Sequence, residues 1–261
     1  MSPSQTTECA VITVSIVSHG HGAMVVRLVS QLLLYPEITQ VLITLNIPEI
    51  LDLPLDQRLV VLENVQARGF ATNHNAAFRV CTEDYFCPLN PDIELRGNPF
   101  PALLVAMSEA GIGMAAPRVD SLAGVPEDSW RHFPTLFSLI RKVLGKGDGR
   151  YPMPANGRIF SPEWVAGMFM LFRRADFRIL GGFDEGFFLY YEDVDICVRL
   201  WKSGRRLIVC PEVIVIHDAR RDSHRKWRHL RWHLTSMGRY FIKHAGRLTK
   251  VEAEHLRNKA K

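Results

Sequence analysis

Cysteine is scarce and unorganised in this chain. The five residues Cys9, Cys81, Cys87, Cys197 and Cys210 are an odd number, and no two form a CxxC. That argues against a disulfide framework or a thiolate metal site and sets the expectation of a reducing, cytoplasmic compartment. Long apolar runs are missing too. None reaches the roughly 18–20 residues that cross a bilayer. The opening MSPSQTTECA puts no basic segment ahead of its apolar run, so neither a membrane span nor a secretory signal is expected. Any membrane contact would be peripheral. Repeats and low-complexity tracts are also lacking.

What is present is ordinary for a folded chain. Hydrophobic residues make up 47% and charged residues 23% of 261, enough for one large domain with a substantial core. The net charge of +5 is local: Arg220–His233 holds six Arg or Lys against the single acid Asp222. Trp227 and Trp232 are interleaved with those bases. A basic stretch with tryptophan calls for an anionic partner, such as a membrane surface, and equally describes a solvated charged helix. No nucleic-acid motif is present, so nucleic acid is not expected as a partner.

The first half alternates strand and helix signals. Ala10–Ser18, Gln40–Asn46, Leu59–Leu62 and Tyr85–Leu89 read as strands, rich in β-branched and aromatic residues. Between them, Met24, Val25, Leu28, Val29, Leu32 and Leu33 recur at helical spacing, and Thr72–Thr82 reads as a second helix. This order predicts an α/β fold with a mostly parallel, Rossmann-like sheet flanked by helices, and ligands at the carboxyl ends of its strands. Further on, Ala115–Val119 reads as a strand, and Asp120–Ser161 as a Gly- and Pro-rich excursion with one helix at Leu136–Leu144. Trp164–Phe172 reads as one strand, and Arg206–Pro211 and Val213–His217 as two. The chain divides into a body, 1–219, and a basic helical appendage, 220–261.

Several residues stand where chemistry is expected. Asn90-Pro91-Asp92 follows an apolar strand directly. A carboxylate there is the hard oxygen ligand that Mg²⁺ or Mn²⁺ uses to reach a diphosphate, and the same tripeptide also makes an Asx–proline turn with no ligand. Glu192-Asp193-Val194-Asp195 opens a helix whose buried stripe is Val194, Cys197, Val198 and Trp201, leaving Glu192, Asp195, Arg199 and Lys202 on the opposite face. Three acids in a first turn suit the helix dipole, so capping and acid–base chemistry are both open readings. Arg68–Asn75 is a glycine-led helix start suited to a phosphate or nucleotide edge. His217 ends a strand and reads as a surface group or a metal ligand.

In their order along the chain, these segments resemble family 2 glycosyltransferases of the GT-A fold, in the rhamnosyltransferase-like branch. The resemblance runs from about Val11 to His244. It is carried by VSIVSH at 14–19, GFATNHNAA at 69–77, LNPD at 89–92 and, above all, GGFDEGFFLYYEDVDICVRLWKSG at 181–204. It implies a GT-A fold with a short antiparallel element. It also implies an inverting transfer of a sugar from a nucleotide-diphosphate donor to a hydroxyl of a glycan or lipid-linked glycan. Rhamnose on deoxythymidine diphosphate is the implied donor.

The resemblance implies residue roles as well. Asp92 with Asn90 would hold the metal, Mg²⁺ or Mn²⁺, and the donor diphosphate, and His217 would reach that metal. Asp193, paired with Glu192, would be the general base. Ser18, Asn46, Gly69, Phe70 and Asn75 would line the donor site. The chain departs from the family pattern in three places, one being a metal element that begins with Asn90 rather than Asp, a variant common in this branch. Leu45-Asn46 stands where Asp-Asn is usual, and His19-Gly20-His21-Gly22 follows the first strand. The missing acid at position 45 keeps a second class in view, a catalytically degenerate nucleotide-sugar binding protein. Another nucleotide-dependent transferase is a third class, but it would require a Gly-rich N-terminal signature that His19–Gly22 lacks.

Overall fold

Alternation decides the first strand. Ile12, Val14 and Ile16 point to one face of the sheet, and Thr13 and Ser15 to the other. Both faces are covered, so all five residues are fully buried. The structure is a computed structural model that describes residues 10–146, 149–154, 156–218 and 226–245. Elements run in the order β1 (Ile12–Ser18), α1 (Ala23–Leu32), β2 (Ile38–Leu45), β3 (Leu59–Glu63), α2 (Phe70–Arg79), β4 (Tyr85–Leu89), β5 (Ile93–Glu94) and α3 (Phe100–Met107). They continue with β6 (Ile112–Ser121), β7 (Trp130–Arg131), α4 (Leu136–Val143), β8 (Trp164–Val165), β9 (Leu171–Arg173), α5 (Arg174–Ile179), α6 (Glu192–Lys202), β10 (Arg206–His217) and α7 (Lys226–His244).

The main sheet has eight strands in the order β3-β2-β1-β4-β9-β6-β10-β5. Pairing is parallel among β3, β2, β1 and β4 and between β6 and β10, while β9 and β5 run antiparallel to their neighbours. One face packs on α1 and α3, the other on α2, α5, α6 and α7, giving two apolar layers. A separate antiparallel pair, β7–β8, is the expected short antiparallel element.

Three expectations are corrected. Trp164–Phe172 is not one strand. It splits around Gly167 into β8, which joins the small sheet, and β9, which joins the large one. Conversely, Arg206–Pro211 and Val213–His217 form the single strand β10, with a register shift between Cys210 and Ile214. Pro211, having no N–H for the ladder, makes such an irregularity rather than a chain break. Third, burial on α6 is not confined to its apolar stripe: Glu192 and Asp195 on the opposite face are buried too. Helix α7 covers part of that side, with Tyr240 fully buried in the core. The described part of the expected appendage, 226–245, is thus packed on the body. Arg220, Arg221 and Arg225 of the basic stretch lie outside the described residues.

Candidate active site

Parallel pairing sets Ser18, Asn46 and Asn90 at one edge of the sheet. Asn46 N–H donates to the Ser18 carbonyl at 2.8 Å. Ser18 is buried, and its hydroxyl accepts from the His21 N–H at 3.3 Å. Asn46 is buried and fully engaged: its Oδ1 accepts from Arg68 N–H at 2.7 Å and Asn64 Nδ2 at 2.9 Å, and its Nδ2 donates to the Arg68 carbonyl at 3.0 Å. Asn64 also donates to Asn73 Oδ1 at 2.7 Å. This asparagine clamp fixes the peptide of Arg68 just ahead of α2. Asn64 and Asn73 were not singled out from sequence. Asn64 directly follows β3, which was the available signal.

Helix α2 starts where only glycine fits. A Cβ on Gly69 would lie 2.3 Å from the Phe188 carbonyl oxygen, to which Phe70 N–H donates at 3.1 Å. Gly69→Ala is therefore expected to push α2 off the 182–191 loop. It should cost about 1–3 kcal/mol of stability and most of the activity, which thermal unfolding and a transfer assay would show. Phe70 sets its ring against His74 and Phe183, at centroid distances of 4.3 and 5.4 Å, and against Gly167. Asn75 is engaged within the protein. Its amide donates to the Phe183 carbonyl at 2.8 Å and to Glu185 at 3.0 Å, and accepts from Phe183 N–H at 2.9 Å. In this structure Asn75 braces the 182–185 turn.

The two candidate carboxylates share one strut. Gly167 N–H donates to Asp193 Oδ2 at 3.1 Å, and the next carbonyl, of Met168, accepts Asn90 N–H at 2.9 Å. The split between β8 and β9 thus ties the start of α6 to the Asn90-Pro91-Asp92 turn. Asp92 Oδ2 meets His217 Nε2 at 3.1 Å, while His217 Nδ1 meets Glu127 Oε2 at 2.7 Å. Burial disfavours a charged His217, but the bond and charge of Asp92, followed by those of Glu127, push it up to about 9. His217 is thus a protonated partner of Asp92 and must lose that proton to ligate a metal. Glu127, inside the irregular excursion, gave no sequence signal. Among the described residues no group of three or more His, Cys, Asp or Glu is arranged to hold a metal ion. Asp92 Oδ1, however, is buried with no partner, which is the position of an oxygen awaiting a cation.

Asp193 is half-buried at the head of α6, with Oδ1 accepting from Val194 N–H at 2.8 Å. Burial pushes its carboxyl up to about 6 against the three backbone N–H groups, of Val194, Gly167 and Asp193 itself, that favour the charge. Glu192 beside it is buried, with Oε2 unpartnered. Burial first, and then the Asp193 charge, hold it well above the carboxylate range. Both carboxyls are thus pushed up, and their mutual repulsion disfavours two negative charges side by side. The N-cap residue Tyr191 makes no side-chain cap bond, while Asp193 accepts a first-turn N–H, so these acids also suit the start of α6.

Tyr190 and Tyr191 adopt left-handed φ values of 72° and 67°, at a cost of roughly 1–2 kcal/mol each. Helix α7 holds them there. Tyr190 Oη bonds His229 Nδ1 at 2.8 Å, Ser236 donates to the Leu189 carbonyl at 2.9 Å, and the Tyr191 and Tyr240 rings lie 5.3 Å apart.

No protein-family model matches the chain. Among curated proteins it is similar to the rhamnosyltransferase WbbL of Escherichia coli K12, with 29% identity over 245 residues, 89% of this chain and 93% of that protein. It is also 33% identical over 144 residues to an N-acetylglucosaminyl-diphospho-decaprenol L-rhamnosyltransferase of Mycobacterium tuberculosis. That match covers 52% of this chain and spans only 47% of the relative's length. Among solved structures, GalNAc-T7 with UDP, GalNAc and Mn²⁺ matches at a TM-score of 0.64 and 16% identity, over 81% of this chain and 44% of that one. The mannosyltransferase PcManGT of Pyrobaculum calidifontis, with GDP-Man and Mn²⁺, matches at 0.58 and 15%, over 90% and 65%. The fold is that of GT-A glycosyltransferases, and these relatives support the resemblance to rhamnosyltransferase-like family 2 glycosyltransferases.

Proposed function

We propose that the chain is an inverting, metal-dependent glycosyltransferase that moves a sugar, rhamnose, from a nucleoside diphosphate to a hydroxyl of a glycan or lipid-linked glycan. The observation that carries this reading is the geometry of the Asp193 carboxylate, oriented by Gly167 N–H and joined through Met168 to the Asp92 turn. The acceptor oxygen attacks the anomeric carbon, the bond to the diphosphate breaks, and Asp193 takes the hydroxyl proton. Glu192, whose carboxyl burial holds well above the usual range, leaves Asp193 as the group that accepts it. Ser18, Asn46, Gly69 and Phe70 shape the donor cleft, with Asn90 and Asp92 at the diphosphate. Asp92, with His217 once it has lost its proton, would hold a divalent cation, Mg²⁺ or Mn²⁺, which would supply Lewis-acid stabilisation of the leaving group. The WbbL and decaprenol-linked relatives are named rhamnosyltransferases, which favours that sugar. An acceptor on a lipid carrier places the enzyme at the cytoplasmic membrane face, reached by the basic helix α7, where Trp227, Leu230 and Leu234 are exposed. No helix among the described residues is long and apolar enough to cross a membrane.

With one base and no carboxylate nucleophile, the product anomer should be inverted relative to the donor. NMR of the product tests this, and retention would refute it. Asp92→Asn should lower donor affinity about tenfold to a hundredfold, the worth of a lost charged contact. It should also remove the dependence of that affinity on Mn²⁺, as titration calorimetry with and without metal would show.

A further inference from the structure

Helix α4 carries an apolar face that nothing among the described residues covers. Leu136, Phe137, Ile140 and Leu144 remain 65%, 69%, 57% and 62% exposed, and their spacing sets them along one side of the helix. The helix is built without help from that side. Thr135 and Ser138 cap it reciprocally, each backbone N–H donating to the other's hydroxyl at 2.9 Å. Its flank is cationic: from Phe133 to Lys146 the sequence holds Arg141, Lys142 and Lys146 and no acid. The Arg141 guanidinium lies 5.9 Å from the centre of the Phe137 ring, at the border of the apolar face. Leucine, isoleucine and phenylalanine beside unopposed bases match the boundary between acyl chains and anionic headgroups.

The mounting of α4 is as informative as its surface. It follows β7, whose Trp130 and Arg131 pair with Val165 and Trp164 of β8. Trp164 Nε1 donates to the His132 carbonyl at 2.9 Å, and Ala166 N–H to the Ser129 carbonyl at 2.8 Å. The residue after Ala166 is Gly167, which orients Asp193. The strand pair that carries α4 therefore also carries the backbone contact of the base.

We propose that α4 is a membrane-docking helix. It lies flat in an anionic phospholipid surface, with Leu136, Phe137, Ile140 and Leu144 among the acyl chains and Arg141 and Lys146 at the headgroups. The bilayer is then held on the side from which a lipid-linked hydroxyl approaches Asp193. The inference rests on the glycosyltransferase reading for this purpose only, because the surface itself is independent of any transfer. Docking through so short a helix is reversible and needs acidic lipid.

The test is flotation with vesicles of phosphatidylglycerol and phosphatidylcholine, and with phosphatidylcholine alone. Wild type should float with the anionic vesicles and less with the neutral ones. The paired change Phe137→Asp and Ile140→Asp should cut the bound fraction about tenfold or more, the scale expected for two apolar anchors. Phe137→Leu should keep it. Transfer to a water-soluble acceptor should be unchanged in both variants, which shows that they are folded. Undiminished flotation of the Asp variant, or no flotation of wild type at low salt, overturns the proposal. So does a concentration-dependent dimer that the Asp variant abolishes, since the face would then belong to a second copy. Vesicle binding without transfer to any acceptor would leave the docking surface standing and remove the transferase reading.

Discussion

Asp193→Asn should abolish sugar transfer while leaving the donor bound. The change keeps the side chain's shape and removes its ability to take a proton, so turnover should fall by about 10²–10⁴. Donor affinity by calorimetry should stay within about threefold, because the diphosphate is assigned to Asp92 and not to α6. In wild type, Asp193 must be charged to act, and burial pushes its carboxyl up to about 6. Activity should therefore rise with pH through about 6 and be lost below it. Stability moves the other way. A carboxyl whose folded value lies above its unfolded one favours the fold at low pH, and that contribution disappears as pH rises through about 6. Asp193→Asn should accordingly be as stable as wild type, or more so, at pH 8, by about 1–2 kcal/mol. Loss of donor binding together with turnover would show that the variant has damaged the cleft, and full activity would remove Asp193 from the chemistry.

The second large effect belongs to Asp195, two residues along the same helix and fully buried. It meets Arg199 Nε at 2.7 Å, Lys243 Nζ at 2.6 Å and His244 Nε2 at 2.8 Å. Burial works against its charge, but the His244 bond and the Arg199 and Lys243 cations hold its carboxyl far below the usual range. Asp195→Asn leaves those cations without their counter-charge, at a cost of about 3–5 kcal/mol. For a domain of this size that lowers Tm by roughly 10 °C. A depressed folded value contributes stability above the unfolded value of about 4 that is lost as pH falls. The gap between wild type and variant should thus be widest near neutral pH and close in acid, as melts from pH 3 to 8 would show. Lys243 also meets Asp184 at 2.6 Å, as does Arg239 at 2.9 Å. The same substitution therefore loosens the grip of α7 on the base loop and should lower turnover with soluble acceptor.

The parallel half of the fold was legible because its signals are local. Ile12–Ser18 and Tyr85–Leu89 are apolar runs of strand length, and the α1 stripe repeats at helical spacing. Asn90, Asp92, Asp193 and His217 could be named because each sits where a strand ends or a helix begins. The structure brings Asp92 beside His217, and links Asn90 to Asp193 through Gly167 and Met168. What sequence left out is non-local. Helix α3, FPALLVAM, is apolar nearly all round and shows no period. The face of α6 reads as solvated until α7 closes over Asp195, a contact across 49 positions. Asn75 carries the same amide whether it faces a nucleotide or the 182–185 turn, and only the fold decides. The backbone strain at Tyr190 and Tyr191 leaves no mark in composition at all.

The central claim is that the cleft at the carboxyl ends of β1, β2 and β4 takes a nucleoside diphosphate together with a divalent metal. The most direct measurement is a thermal-shift panel of UDP, dTDP, GDP, ADP and CDP, each with Mn²⁺, Mg²⁺ or chelator. A ligand bound only by the folded chain must raise its apparent stability. A metal-dependent rise with dTDP above the others, absent in Asp92→Asn, is expected. Equal melting with every nucleotide and metal, in protein that unfolds cooperatively, would contradict it.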